Sequence, residues 1–249
     1  MIKVKIVDAH VHLGIGFKMQ LGVETLLRQM DEANVDYAII CPMDRFIAME
    51  NKEGNEYVAR IVRQYSDRIA GMASVNPWSG KKGADELKRA LEDGLCGLKL
   101  HSVLQGFRLC DPIVYPLLEI AEEYDVPVYA HTGTAGIAEP LHIAELARNF
   151  PNINFIAGHA GSSDYYHDIV RALEISHNLW IESSRNGPGN FMQWKNRNYI
   201  DRIVFGTNAP EYIPEVELEN MRDIFTEPHE QQSIFEINIQ NVFKGRLKI

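Results

Sequence analysis

The sequence predicts an α/β fold, a single (β/α)8 TIM barrel that takes up residues 1–249. Eight short runs rich in β-branched residues recur along the chain, and segments with helical spacing separate them. Such alternation of strand and helix is typical of parallel βαβ units, and about 250 residues is the usual size of this barrel. An open, doubly wound sheet is the alternative, because local patterns do not show whether a sheet closes.

The predicted elements alternate along the whole chain. The strands are KVKIVDAHVH, DYAIICPM, IAGMASVNP, GLCGLKLHS, VPVYAHTG, INFIAGHAG, NLWIESSR and RIVFGTNAP. The helical segments are VETLLRQMDEA, NEYVARIVRQYSD, GADELKRALEDG, PIVYPLLEIAEEY, PLHIAELARNF and YYHDIVRALEISH, with a seventh near NFMQWKNRNY. In PLLEIAEEY, for example, Leu117, Ile120, Ala121 and Tyr124 form one stripe, as a helix packed on a sheet requires.

Composition and charge limit the classes of function. The formal net charge is −9, with 45% hydrophobic and 24% charged residues, which is ordinary for a soluble globular protein. An acidic chain is not expected to bind nucleic acid, which usually requires a basic face. The start, MIKVKIVDAH, alternates like a strand rather than a secretion signal, and no apolar run is as long as a membrane span. Three scattered cysteines indicate a reducing compartment, so we expect a cytoplasmic protein.

Histidines collect at the predicted C-terminal ends of the strands, the face that carries the active sites of such barrels. The first strand ends with His10 and His12, which lie two residues apart and therefore point to the same side. His131 ends the fifth strand and His159 the sixth. A lone histidine at a strand end is more often structural than chemical. Four that a barrel brings together predict a metal site, because neutral imidazole is the commonest ligand for zinc and similar ions.

Five motifs resemble those of a known family. DAHVHLG near the start resembles the opening motif of the amidohydrolase superfamily. GLKLHS, VYAHTGT, FIAGHAGS and FGTNAPE resemble the later strand motifs of its amidohydrolase-2 branch, which contains decarboxylases and hydrolases of lactones and amides. The resemblance extends over nearly the whole chain, from Asp8 to the closing NIQNVFKG. It is specific for the superfamily but not for a substrate.

The resemblance implies a role for each histidine. In that family the two first-strand histidines and the fifth-strand histidine bind a divalent metal ion, and these are His10, His12 and His131 here. The sixth-strand histidine, His159, would polarise the substrate or relay a proton. Three imidazoles favour zinc, although manganese or another divalent ion also suits such a site.

The eighth-strand position departs from the family pattern, which has a metal-binding aspartate in GSDxP or GTDxP. This chain has GTNAP, with Asn208 at that position. An amide can still offer an oxygen to a metal ion, but it carries no charge and is not a base near neutral pH. The chemistry then has four readings. In the first, another group takes the proton, and His159 is a better candidate than Glu211 or Glu182. In the second, the site works without a metal ion, and in the third the protein binds a ligand without catalysis. In the fourth, the asparagine is a deliberate substitution. TNAP is also suited to an ordinary turn.

Four further residues are candidates for substrate binding. Lys99 and His101 share a face of the fourth strand, and we expect the lysine to contact a substrate anion. In binuclear relatives a lysine at this strand end is carbamylated and bridges two metal ions, but the resembled branch has one metal. Arg185, after the seventh strand, can clamp a carboxylate through two hydrogen bonds, and Arg45, after the second strand, is a similar candidate. Surface positions are the ordinary alternative for these charged residues.

These residues predict a metal-dependent hydrolase of a small amide, ester or lactone that bears a carboxylate, in which a metal-activated water attacks the carbonyl. Non-oxidative decarboxylation of an unsaturated or aromatic acid on the same site is the alternative, and a binding protein without catalysis is a third. The loop of residues 14–23 is short for a substrate cover. A neighbouring subunit would then complete the pocket, so we expect a homo-oligomer that binds a small molecule, without nucleic acid or membrane partners.

Overall fold

The strands occur where the sequence patterns place them. The computed structural model describes residues 4–249, so the first residue of the predicted first strand, Lys3, lies outside the described residues together with the two before it. The strands within that range are β1 (Val7–Ile15), β2 (Gln20–Leu21), β3 (Tyr37–Pro42), β4 (Ile69–Gly71), β5 (Ala73–Ser74), β6 (Leu98–Leu100), β7 (Val128–His131), β8 (Phe155–Gly158), β9 (Leu179–Glu182) and β10 (Ile203–Val204).

The strands close into an eight-stranded parallel barrel. Parallel pairing runs from β1 through β3 to β4, and from β5 through β6, β7, β8 and β9 to β10. The third barrel strand consists of β4 and β5, interrupted at Met72, whose backbone N still donates to Ile40 O at 2.8 Å. On the other side His12 N donates to Ala209 O at 2.8 Å, which joins β1 to the segment after β10. This closure confirms the predicted TIM barrel and excludes the open sheet.

Each of the seven predicted helices has a counterpart in the structure. The helices are α1 (Val23–Ala33), α2 (Asp44–Ala48), α3 (Asn51–Gln64), α4 (Gly80–Glu92), α5 (Ser102–Gln105), α6 (Tyr115–Glu123), α7 (Pro140–Asn149), α8 (Tyr166–Ile175), α9 (Pro188–Asn196), α10 (Pro214–Ile224), α11 (Pro228–Gln232) and α12 (Asn238–Val242). A π-helical turn joins α11 to α12. The short α2 and α5 and the C-terminal α10, α11 and α12 are additional to the predicted set.

Helix α1 illustrates why these segments are helical. Its buried residues are Val23, Leu26, Met30 and Ala33, which recur at three- and four-residue spacing and form one stripe against the sheet. Burial of side chains such as Leu26 and Met30 contributes about 1.5–3 kcal/mol each. The helix ends at Asn34, whose left-handed backbone (φ 58°) stops the helical hydrogen bonding.

Two glycines make room for polar side chains inside the barrel. A Cβ atom at Gly158, the last residue of β8, would collide with the Tyr129 ring of β7. A Cβ atom at Gly206 would lie 2.5 Å from Oε1 of Glu182, the last residue of β9. Tyr129 and Glu182 are both fully buried. The glycines of FIAGHAG and FGTNAP are thus required by the polar interior just below the strand ends.

Candidate active site

A cavity of about 180 Å³ opens at the C-terminal ends of the strands. Its lining includes six of the predicted site residues: His12, His101, His131, His159, Arg185 and Asn208. We call it the histidine pocket. His10 and Lys99 are fully buried and do not line it. Arg45 lines a separate cavity of about 740 Å³, where its guanidinium bonds to Glu50 Oε2 at 2.6 Å.

His159 lies in the pocket wall at the end of a chain of hydrogen bonds. Its Nδ1 lies 2.8 Å from Ser184 Oγ, and that hydroxyl donates to Glu182 Oε2 at 2.9 Å. Because the serine hydroxyl donates its proton to the carboxylate, the serine oxygen accepts a hydrogen bond from Nδ1–H of the imidazole. The Nε2 lone pair of His159 is then left facing the pocket. Burial lowers the pKa of His159 well below its ordinary value, and the neighbouring His131 adds to the shift. His159 is therefore a neutral imidazole that can accept a proton.

Glu182 holds this arrangement in place. It is fully buried and also accepts from the backbone N of His159 at 3.2 Å and from the Tyr129 hydroxyl at 2.7 Å. Burial raises its pKa, while these hydrogen bonds oppose the shift. The sequence suggested Glu182 as a proton acceptor, but it does not line the histidine pocket, and its contacts orient His159 instead.

A second hydrogen-bonded chain runs through His10. Lys99 Nζ lies 2.7 Å from His10 Nε2, and the Tyr129 hydroxyl lies 2.8 Å from His10 Nδ1. The tyrosine proton goes to Glu182, so His10 donates through Nδ1–H and accepts the lysine proton on Nε2. Burial lowers the pKa of Lys99 to about 8, which still leaves the amine mostly protonated at neutral pH.

Three further histidine rings of the pocket are neutral: those of His12, His131 and His101. His12 Nδ1 lies 3.0 Å from the Pro42 carbonyl, which can only accept, so its Nε2 also carries a free lone pair. The rings of His131 and His101 stack with centroids 4.0 Å apart. Burial lowers the pKa of both His12 and His131 to about 3. At neutral pH these side chains offer lone pairs and N–H groups rather than charge.

Asn208 lies in the pocket wall. It is 4% exposed, its backbone N donates to His10 O at 2.8 Å, and its φ is 58°. Its amide nitrogen donates to Glu211 Oε2 at 2.8 Å. The neighbouring Asp8 accepts from Thr207 and from the His10 backbone N, and burial raises its pKa to about 7. Asn208 therefore combines a turn-like backbone with a side chain in the pocket.

The donor groups that lie close enough together to hold a metal ion do not include the full predicted set. Tetrahedral bonds of about 2.0 Å hold the ligand atoms of one zinc ion about 3.3 Å apart. Within residues 4–249, two groups of three donors lie within 4.8 Å: His10 with His12 and Cys41, and His10 with His159 and Glu182. The combination of His10, His12 and His131 is not among them. The metal-ligand roles stay predictions.

Sequence reasoning missed two of the residues that shape this site. Tyr129 reads as an ordinary apolar residue of VPVYAHTG, and Ser184 as the polar end of a strand. Ser184 had one available signal, because it lies two residues after Glu182 and shares its face of the strand. Arg185, an exposed residue with φ 62°, lies on the pocket rim.

This is a closed (β/α)8 barrel with a histidine-lined pocket at its C-terminal face. A family model described as Amidohydrolase matches residues 7–244, so the chain belongs to that family. A segment of 78 residues is 31% identical to a 2-amino-3-carboxymuconate-6-semialdehyde decarboxylase of Dictyostelium discoideum. It covers 31% of this chain and 22% of the length of that relative.

Solved structures share the whole fold at low identity. The 5-carboxyvanillate decarboxylase of Sphingomonas paucimobilis matches with a TM-score of 0.80 and 14% identity over 97% of this chain and 99% of that one. A dihydroxybenzoic acid decarboxylase of a Polaromonas species, with bound manganese and the inhibitor 2-nitroresorcinol, matches with a TM-score of 0.76 and 16% identity over 97% of both chains. Between residues 4 and 249, no helix combines the length and apolar character needed to cross a membrane.

Proposed function

We propose that this protein is a lyase that removes carbon dioxide, without oxidation, from a small unsaturated or aromatic carboxylic acid. The observation that carries the proposal is His159, a neutral imidazole backed by Ser184 and Glu182, in a pocket with Arg185 on its rim. The guanidinium group of Arg185 can bind a substrate carboxylate through two hydrogen bonds. The similarity to decarboxylases in sequence and in fold supports this reaction over the hydrolysis that the sequence motifs first suggested.

The proposed reaction needs one proton carrier. The substrate carboxylate binds at Arg185, the bond between the carboxyl carbon and its neighbour breaks, and the electron pair stays on that neighbouring carbon. Because the resting imidazole is neutral, His159 first takes a proton from solvent on Nε2 and then delivers it to this carbon, so that acid anion plus proton gives product plus carbon dioxide and the imidazole returns to its neutral form. Glu182, acting through Ser184, stabilises the protonated imidazole between these steps.

A divalent ion is the cofactor that the family resemblance implies, either zinc or, as in the Polaromonas structure, manganese. When bound, such an ion supplies Lewis acidity and an activated water. His10, His12 and His131 are not among the donor groups close enough together to share an ion, so the steps proposed here use only this chain's own side chains.

Hydrolysis of a small ester, lactone or amide is the second candidate. The lone pair of neutral His159 favours it, because the same nitrogen can take a proton from an attacking water. A panel of aromatic and unsaturated acids, lactones and amides in ¹⁸O-labelled water separates the two. We expect carbon dioxide release with no ¹⁸O in the product. Labelled oxygen in a ring-opened or cleaved product, without carbon dioxide, would contradict the lyase proposal and support hydrolysis.

Binding without catalysis is the third outcome of the same panel. No turnover by the protein or by its Asn208→Asp variant would indicate a binding protein. Turnover that appears only in the variant would show that the rest of the site is intact and that the asparagine alone limits the reaction.

A further inference from the structure

The amine of Lys99 lies where a metal ion on His10 would have to lie. A metal ion bound through an imidazole sits on the nitrogen lone pair, about 2.0–2.1 Å from the atom. Lys99 Nζ lies 2.7 Å from His10 Nε2, which is the ring nitrogen left without a proton by the bond from His10 to Tyr129. One lone pair cannot serve both cations, so a metal ion at this nitrogen would have to displace the lysine.

The lysine is built into this position. Its side chain is fully buried, and Nζ lies 3.7 Å from the centroid of the Tyr129 ring, a favourable cation–π distance. A buried ammonium is costly unless a counter-charge is near. Hydrogen bonds lead from Lys99 through His10 and Tyr129 to the buried carboxylate of Glu182, and each polar group in the chain has a partner.

Asn208 is a separate observation that agrees with this arrangement. A divalent ion beside one carboxylate carries a net charge of +1, and an ammonium beside a neutral amide carries the same net charge. The amide nitrogen of Asn208 donates to Glu211 Oε2. A carboxylate at position 208 would have no N–H to donate, so it would lie against the Glu211 carboxylate without a hydrogen bond between them.

We propose that the Lys99 ammonium takes the place of the divalent metal ion in this protein, so that His10 is not a metal ligand and the pocket uses a fixed organic cation. Lys99 does not line the histidine pocket, so it acts on the reaction through His10 and through its field. A fixed positive charge beneath the pocket favours bound carboxylates and negative charge that develops during reaction. The proposal concerns metal occupancy and stands apart from the choice between lyase and hydrolase.

Metal content tests the proposal directly. The protein, Lys99→Met, Asn208→Asp and the double variant are equilibrated with zinc or manganese, desalted and analysed by elemental mass spectrometry. We expect little metal in the protein and in Asn208→Asp, because the lysine still holds His10 in both. We expect close to one ion per chain in the double variant, together with a metal-dependent rise in its melting temperature.

Two controls keep the result decisive. Lys88→Met removes a surface lysine that pairs with Glu123 and should leave metal content unchanged. His10→Gln in the double variant should abolish the uptake. Stoichiometric metal in the unaltered protein that His10→Gln removes would overturn the proposal. Metal uptake by Asn208→Asp alone would also overturn the proposal. Neither of these two results requires the Lys99→Met variant, so the proposal can be refuted even if that variant fails to fold. No substrate enters the measurement, so its outcome is separate from that of the proposed reaction.

Discussion

At the residue scale, the chemistry of the pocket depends on which nitrogen of each histidine carries the proton. His159 and His10 both lie beside a hydroxyl whose own proton is used on Glu182, so both rings donate through Nδ1. They differ at Nε2. The Nε2 lone pair of His159 faces the pocket, whereas that of His10 accepts a hydrogen bond from the Lys99 amine. One carboxylate therefore sets the tautomers of two histidines with different roles.

Ser184 positions His159, and its removal should lower the rate without weakening substrate binding. Ser184→Ala deletes the hydroxyl between His159 and Glu182, so kcat should fall about tenfold, which is less than the loss of about 10² to 10⁴ expected for His159→Asn. KM should stay nearly unchanged, because Ser184 does not line the pocket. Steady-state kinetics on the substrate found by the panel measures this.

The matched control is Ser183→Ala. Ser183 is equally buried, but its hydroxyl donates to Gly206 O and does not contact His159. Ser184→Thr keeps a hydroxyl and should recover most of the rate. Equal losses in Ser183→Ala and Ser184→Ala would indicate a general structural effect and remove the positioning role.

At the scale of elements, adjacent strands are fitted to each other by glycine. Strand β8 passes the Tyr129 ring of β7 at Gly158, which has no side chain to obstruct it. Gly158→Ala should lower the free energy of unfolding by about 1–3 kcal/mol, the usual cost of overpacking a core. Its φ of −61° suits alanine, so the loss would come from the collision and not from the backbone.

Gly189 of helix α9 provides the control for that variant. A Cβ atom there meets nothing within 4 Å, so Gly189→Ala should be neutral or stabilise the helix by up to about 1 kcal/mol. Denaturant unfolding of both variants measures the difference. If Gly158→Ala were as stable as Gly189→Ala, the barrel interior would be looser than its contacts indicate.

At the scale of the whole molecule, the hairpin formed by β1 and β2 exposes three large apolar side chains. Ile15 is 65% exposed, Phe17 66% and Met19 41%, and Met19 also lines the histidine pocket. The predicted homo-oligomer would bury this hairpin. Light scattering should show a dimer or larger assembly that Phe17→Ser weakens, while Lys18→Ser on the same hairpin should not. A monomer at micromolar concentration would contradict this.

The sequence predicted the barrel and the grouping of histidines at one end of it, because both depend on local patterns. Strand–helix alternation indicates parallel βαβ units, and polar residues at strand ends such as His131 and His159 must meet if the strands form a barrel. The closure itself depends on backbone bonds between β1 and the segment after β10, which no local pattern contains. The partners of the Lys99 amine could not be predicted either, because His10 and the Tyr129 ring come from other strands, 89 and 30 residues away.

The hydrogen-bonded network around Glu182 is tested most directly by ¹⁵N NMR of the histidine rings, with assignments from single His variants. It needs no substrate and reports both tautomer and charge. We expect His10 and His159 to be neutral at pH 6, with the proton on Nδ1, because burial lowers both pKa values and both rings donate to hydroxyls bonded to Glu182. A proton on Nε2 of either ring, or titration near the ordinary histidine value of about 6.5, would contradict the hydrogen-bonded network on which the proposed chemistry rests.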